Sequence, residues 1–266
     1  MKQLAADIYR HIKIFWLISA NAVSSALYTR YGAVMFTTGK ILRILTFSYF
    51  LYLLVSRTQT LSGYTVIQTI FFFLVFNVID TAAQFLFRDV YRFRSKVVTG
   101  DLDWYFIKPL NPLLRSLFGG IDIMDFAVLV PLVGLTIWFI PQISAGPVQS
   151  LLFIFLLANS LLLSAAFHIF VLGLGITTIE VDHAVMIFRD LTSMGRIPID
   201  VYKYPINVVL TTVVPIGVMM TIPAKALMGL ASPGIVIFSF LISAFCFFLS
   251  LRYWRYAVTC YSSASS

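Results

Sequence analysis

The stretch Val97-Val98-Thr99-Gly100-Asp101-Leu102-Asp103-Trp104-Tyr105, continued by Lys108-Pro109-Leu110-Asn111-Pro112, is the most polar and most punctuated passage of a chain that is 60% hydrophobic and 11% charged. Apolar runs flank it at 65–87 and 117–140, each long enough at ~1.5 Å per residue to cross a ~30 Å hydrocarbon layer. A polar passage between two such runs is a loop held at a membrane surface, and the chain around it reads as an all-α membrane protein. Gly100 permits a tight turn, Asp101 or Asp103 is placed to cap a short helix, and Trp104-Tyr105 supply amphipathic anchors at headgroup depth. Pro109 and Pro112 are expected to stop that helix.

Composition extends this reading to the whole chain. A mean hydropathy of +0.93 leaves too little polar surface to clothe a water-facing globule, so several spans are expected. The net charge of +8 lies between apolar runs rather than on a free basic stripe, which is the pattern of cytoplasmic loops and excludes a nucleic-acid partner. Cys246 and Cys260 have neither metal nor disulfide spacing and are read as inert. The apolar core at 14–19 follows basic residues, but its shortness and the long leader with Asp7 make it an uncleaved segment.

In chain order, residues 1–32 read as an interfacial amphipathic helix, with Ile8, Ile12, Phe15 and Trp16 at helical spacing and Lys2, Arg10, Lys13 and Arg30 on other positions. Residues 33–266 then form a six-span domain, with crossings at 33–56, 65–87, 117–140, 148–175, 205–222 and 234–251. The segment 177–204 carries Glu180, Asp182, His183, Arg189, Asp190, Arg196, Asp200 and Lys203. Such a segment is too costly to span unaided and is expected as a surface helix followed by a turn at Pro198. Residues 205–222 are kinkable at Pro215 and Gly217, and 223–233 reads as a loop. This arrangement leaves Arg57 and Lys225 as the only basic residues on one side, so the other side, with both termini, is expected to be cytoplasmic.

The chain carries no visible energy source. Thr37-Thr38-Gly39-Lys40-Ile41 imitates the end of a phosphate-binding loop, but Ile41 replaces the required hydroxyl and Val34 the first glycine. His11, His168 and His183 are not spaced as metal ligands, and no serine sits in a nucleophile elbow. No catalytic motif, no metal and no resident cofactor are therefore expected. The intramembrane charges remain. Lys40 lies ~10 Å inside the first crossing, and Asp80 matches its depth in the second, sharing a helical face with Asn77 and Gln84. A lone charge at that depth costs roughly 2.5–3.5 kcal/mol, which suggests that Asp80 pairs with Lys40 or Arg43. The alternative is that both bases snorkel to the headgroups and Asp80 faces a wet crevice. Asp122 and Asp125 suit a helix N-terminus or a cationic substrate, and His168 a polar interhelical contact or a proton relay.

Four stretches together resemble one family. Thr99-Gly100-Asp101-Leu102-Asp103 with Lys108-Pro109-Leu110-Asn111-Pro112 is similar to the G-E-L-D and R-P-L-N-P signature of bacterial type-2 ATP-binding-cassette (ABC) exporter permeases, in a subfamily once known only as a domain of unknown function. Gly63-Tyr64-Thr65 resembles its G-W-T, and Arg196-Ile197-Pro198-Ile199-Asp200-Val201-Tyr202 its R-Y-P-L-D-I-Y. Val214-Pro215 and 222–229 resemble its closing proline motifs. Asp101 replaces the usual Glu, Tyr64 a Trp and Ile197 a Tyr.

The resemblance implies a permease of the bacterial cytoplasmic membrane that dimerises, with itself or with a similar permease, and lies among membrane lipids. ATP and magnesium would be held by a separate cytoplasmic ATPase subunit. The coupling helix seated in that subunit would fall within roughly 92–105 and involve Arg92, Arg94, Lys96, Gly100, Asp101, Asp103 and Trp104. The 196–202 motif would be a cytoplasmic or interfacial elbow, and an outer gate region would include Pro215, Pro223 and Gly229. The stretch before the last span re-enters the outer leaflet in related exporters, and some members are associated with export of hydrophobic or cationic drugs, so the resemblance implies outward movement of a hydrophobic or cationic small molecule or a lipid-like substrate by alternating access. The rival reading is a self-contained proton-coupled carrier working through Asp80, His168 or Asp122, although no inverted repeat is visible.

Overall fold

The computed structural model describes residues 2–28, 30–178 and 181–262, so Glu180 and the side chains of Lys2, Ile8, His11 and Arg30 lie outside what is described. The described chain is helical almost throughout. Helix α1 (Lys2–Tyr28) precedes α2 (Arg30–Thr58) and α3 (Val66–Phe87), and α3 runs on through a tight turn at Arg88–Arg92 into α4 (Phe93–Val98). Two short helices, α5 (Asp103–Ile107) and α6 (Pro112–Leu117), shape the polar loop before α7 (Ile123–Phe139) and α8 (Pro147–Thr178). After α9 (Val181–Ser193) come α10 (Ile206–Val213) and α11 (Gly217–Leu227), bent by 84° at their junction, and α12 (Pro233–Thr259). Among the described residues five helices are long and apolar enough to cross a membrane: α2, α3 with α4, α7, α8 and α12.

Local chemistry sets the helix starts. Thr65 and Gln68 form a reciprocal cap, each side chain bonding the other's backbone N–H, which fixes the first turn of α3. Asn111 accepts from the backbone of Leu113 and Leu114 while Pro112 occupies the first helical position, so the Asn-Pro pair starts α6 rather than ending a helix. Asp122 caps α7 and Ser232, ahead of Pro233, caps α12. Helix α3 is the hub. Phe71 to Phe76 are all buried, in a core shared with α2, α7, α8 and α11. A second core gathers Phe87, Phe93, Val97 and Leu102 against Ile169, Leu172, Ile176, Trp254 and Ala257, tying the polar loop to α8 and α12.

The bundle therefore has a loop end, carrying Gly100, and a far end, carrying Gly63. Both terminal regions lie at the loop end: Arg10 bonds the Pro109 carbonyl at 3.5 Å, and Tyr261 donates to Asp103 at 2.8 Å. The path of 177–204 differs from the surface helix expected of its charges. Val181 packs beside Phe93 and Gly175 at the loop end, whereas Asp200 meets Ser62 and Tyr64 at the far end. This segment thus traverses the bundle: α9 supplies about 20 Å of the rise, and the tight turns Met194–Arg196 and Ile199–Val201 supply the rest. Insertion cost misjudged it because its charges do not face lipid alone; Arg189 and Arg196 open onto a polar crevice with Asp80.

The fifth crossing expected at 205–222 is instead a re-entrant hairpin. Ser160 donates to the Met219 carbonyl at 2.7 Å and Gly195 packs on Ile216 and Met220, so the hairpin dips into the far half of the bundle. It then climbs back until Lys225 stands 2.8 Å from the Asp200 carboxylate. Residues 223–233 are likewise not a simple loop. Pro223 is buried in α11, which runs to Leu227 and is closed by Met228 and then Gly229, whose φ of +70° is a conformation glycine adopts without strain.

Candidate functional site

At the loop end, the passage 92–107 forms a platform anchored from beneath. Gly100, at φ +76°, turns the chain so that the Leu102 N–H reaches the Lys96 carbonyl at 3.1 Å, and Leu102 itself is fully buried. Lys96 ion-pairs with Asp89, and Arg115 lies 4.0 Å from the same carboxylate. Both cations also approach the Tyr105 ring, at 5.4 and 5.0 Å. A Cβ on Gly119 would overlap the Asp89 carboxylate, so that residue makes room for the cluster. Burial, with the Asp103 carboxylate as hydrogen-bond partner, pushes the Tyr261 phenol up to about 12, which keeps it a donor at neutral pH. The outer surface of the platform presents Val98, Asp101, Trp104 and Ile107, all exposed. Arg92 and Arg94 stand on its flank, Arg94 3.8 Å from Asp182 at the start of α9.

A chain of polar contacts then runs through the bundle. Asp80 accepts from the Gln84 amide at 2.8 Å, and the Gln84 carbonyl accepts from Lys40 at 3.5 Å. Lys40 makes its close ion pair, 2.6 Å, with the fully buried Asp125, and Arg88 lies 3.3 Å from Asp122 and 4.0 Å from Asp125. The expected direct pairing of Asp80 with Lys40 or Arg43 is absent among the described residues. Lys40 takes its carboxylate from α7, and Gln84 bridges it to Asp80. Two acids in the first turn of the third span compete with Asp80 for that lysine, and spacing alone cannot rank them. Asp122 and Asp125 are thereby counter-ions and a helix cap.

His168 is buried. Its Nδ1 bonds the Ser164 carbonyl within the same helix at 2.8 Å, and its ring packs among Phe87, Tyr91 and Phe188. Its Nε2 has no hydrogen-bond partner among the described residues.

At the far end, Asp200 collects the Tyr64 hydroxyl at 2.8 Å and Lys225 at the same distance, joining the α2–α3 turn, the end of the α9 segment and the re-entrant hairpin. Burial and then the Asp200 carboxylate hold the Tyr64 phenol above its ordinary pKa, so it remains the donor. Pro215 is buried at the bend of the hairpin, Pro223 in its second arm, and Gly229 lies exposed at its exit. Among the described residues no three His, Cys, Asp or Glu side chains are grouped to hold a metal.

A helical bundle with five to six candidate spans, an anchored polar platform at one end and a re-entrant hairpin at the other is a multi-pass membrane protein by class. Residues 41–265 match the family model described as ABC-2 family transporter protein, and the chain belongs to that family. Its members are membrane components that typically lack ATPase motifs and generally work with ATPase subunits. No curated protein and no solved structure matches the chain.

Proposed function

We propose that the chain is the transmembrane subunit of an ATP-driven exporter, moving a hydrophobic or cationic small molecule or a lipid-like substrate out across a bacterial cytoplasmic membrane by alternating access, as one of two permease copies. A separate cytoplasmic subunit hydrolyses ATP, with magnesium, and grips the platform at 92–107. The observation that carries this reading, beside family membership, is the platform's two-sidedness. Leu102, Phe93 and Val97 are buried in the bundle, while Val98, Trp104 and Ile107 are exposed on a surface that the bundle itself leaves uncovered. An anchored element with an apolar outer face is suited to receive a push and pass it inward.

The route inward is continuous. Phe93 touches Gly175 and Val181, α9 carries the displacement to Gly195, and Gly195 rests on Ile216 and Met220 of the hairpin. Closing of the ATPase pair would tilt the α9 segment and release the Asp200 clasp, exchanging inward-open for outward-open packing. The basic loop end is cytoplasmic on this reading, because lysine and arginine excess marks that side.

The test is reconstitution in proteoliposomes with the partner ATPase. Efflux that requires hydrolysable ATP and survives a proton ionophore is expected. Efflux that persists without ATP and collapses with the ionophore would overturn the reading in favour of a proton-coupled carrier.

A further inference from the structure

Between α2, α3 and α9 lies a crevice lined by Arg43, Asp80, Gln84, Arg189, Thr192 and Arg196, with the Phe76, Tyr91 and Phe188 rings on its walls. We propose that it binds the anionic group of an amphiphile; this deepens the exporter reading above by naming the charge of the cargo or of a lipid that accompanies it. Three guanidinium groups face one carboxylate there. Arg196 lies within coulombic reach of Arg43, Arg189 and Asp80 and sits over the Phe47 ring at 5.9 Å. Asp80 already holds the Gln84 amide at 2.8 Å. Arg43 and Arg189 have no hydrogen bond or ion pair among the described residues.

Arg43 lies ~15 Å inside the apolar run that begins at residue 33, and a cation without a hydrogen-bonded counter-ion at such a depth is costly and marks the path of a ligand or ion. A second observation points the same way. Thr192, 4% exposed, lines the crevice with a hydroxyl that has no hydrogen-bond partner among the described residues. An incoming carboxylate, phosphate or sulfonate would accept from the guanidiniums and from that hydroxyl; the cavity, about 40 Å³, takes that group alone, and the apolar body would extend outward past the aromatic rings at its rim. The same charge disfavours a cationic drug.

The experiment uses the purified full chain in phosphatidylcholine nanodiscs, without nucleotide or partner, titrated with dansyl-undecanoic acid, its neutral amide and the corresponding amine. The acid is expected to bind roughly tenfold more tightly than the amide. Arg43→Gln or Arg189→Gln should abolish that preference, Arg189→Lys should retain most of it, and Asp80→Asn should enlarge it by removing the one opposing carboxylate. Equal binding of acid and amide, preference for the amine, or acid preference surviving both glutamine variants would overturn the proposal. Repeating the titration with phosphatidylglycerol in the disc assigns the source. Displacement of the probe identifies a lipid headgroup as occupant, and retention a non-lipid amphiphile. Binding here is independent of ATP, so its failure leaves ATP-driven efflux standing, and loss of ATP dependence leaves the binding result standing.

Discussion

Lys40 is held 2.6 Å from a carboxylate with no solvent exposure, so neither partner has water to fall back on. Removing one member of such a pair strands the other and costs roughly 3–5 kcal/mol, whereas replacing both with apolar residues of similar size is close to neutral. Lys40→Met is therefore expected to lower thermal stability in detergent sharply, and Lys40→Met with Asp125→Leu to recover most of the loss. Additive losses in the double variant would show that the contact is incidental. This pair also marks how far single residues are legible. That Lys40 needs an acid follows from its depth in an apolar run, but choosing Asp125 over Asp80 requires the relative placement of three helices, and only the fold supplies that.

The platform's short helices make sharper demands on their sequence. Asn111→Ala removes the side chain that caps two backbone N–H groups of α6, a loss of about 1 kcal/mol, and should show as faster amide exchange at 113–117. Gly119→Ala drives a methyl group into the Asp89 carboxylate and should disturb the ion pair with Lys96, read as enhanced proteolysis of the 88–119 region. The Tyr261 contact gives a pH signature. Its folded pKa, about 12, exceeds the ordinary value of 10.0, so its stabilisation is complete below about pH 10 and is lost as pH rises through about 12. Tyr261→Phe should remove that alkaline phase from wild-type unfolding, and an unchanged profile would contradict the contact.

Among elements, the Gly100 turn and the spans at α3, α7, α8 and α12 were legible because length, apolarity and turn residues agree there, but neither Asp101 nor Asp103 caps α5 as expected: the helix starts behind Leu102 with no side-chain cap, Asp101 accepts from Thr99 and Asp103 from Tyr261. Pro112 misled, because proline ends one helix and begins the next by the same chemistry. The α9 segment misled because hydropathy scores each residue as though it faced lipid, while a bundle can turn Arg189 and Arg196 toward a shared crevice.

Across the membrane, the traverse of 181–200 has a topological consequence. A single cysteine at Tyr204, in a background without Cys246 and Cys260, should react with an impermeant maleimide from the same face as one at Gly63. A cysteine at Ile107 should react from the opposite face. Labelling of 204 and 107 from one face would restore the surface-helix reading of 177–204 and break the connection drawn between platform and hairpin. The number of crossings was legible from the pattern of apolar runs, but their identity was not. The hairpin's 84° bend turns an apolar stretch back on itself, and nothing local in the residues flanking Pro215 distinguishes a kinked span from a re-entrant one.

On the exporter reading, hydrolysis elsewhere moves the bundle through the outer face of 92–107. That coupling is tested most directly by measuring ATP hydrolysed and substrate exported together, in proteoliposomes holding the permease and its ATPase. The variants are Trp104→Ala and the pair Asp101→Lys with Asp103→Lys. Both variants are expected to insert normally and still accompany an active ATPase, while export per ATP falls roughly tenfold, as loss of an anchoring aromatic or of its neighbouring charges would give. Wild-type export per ATP in both would contradict it.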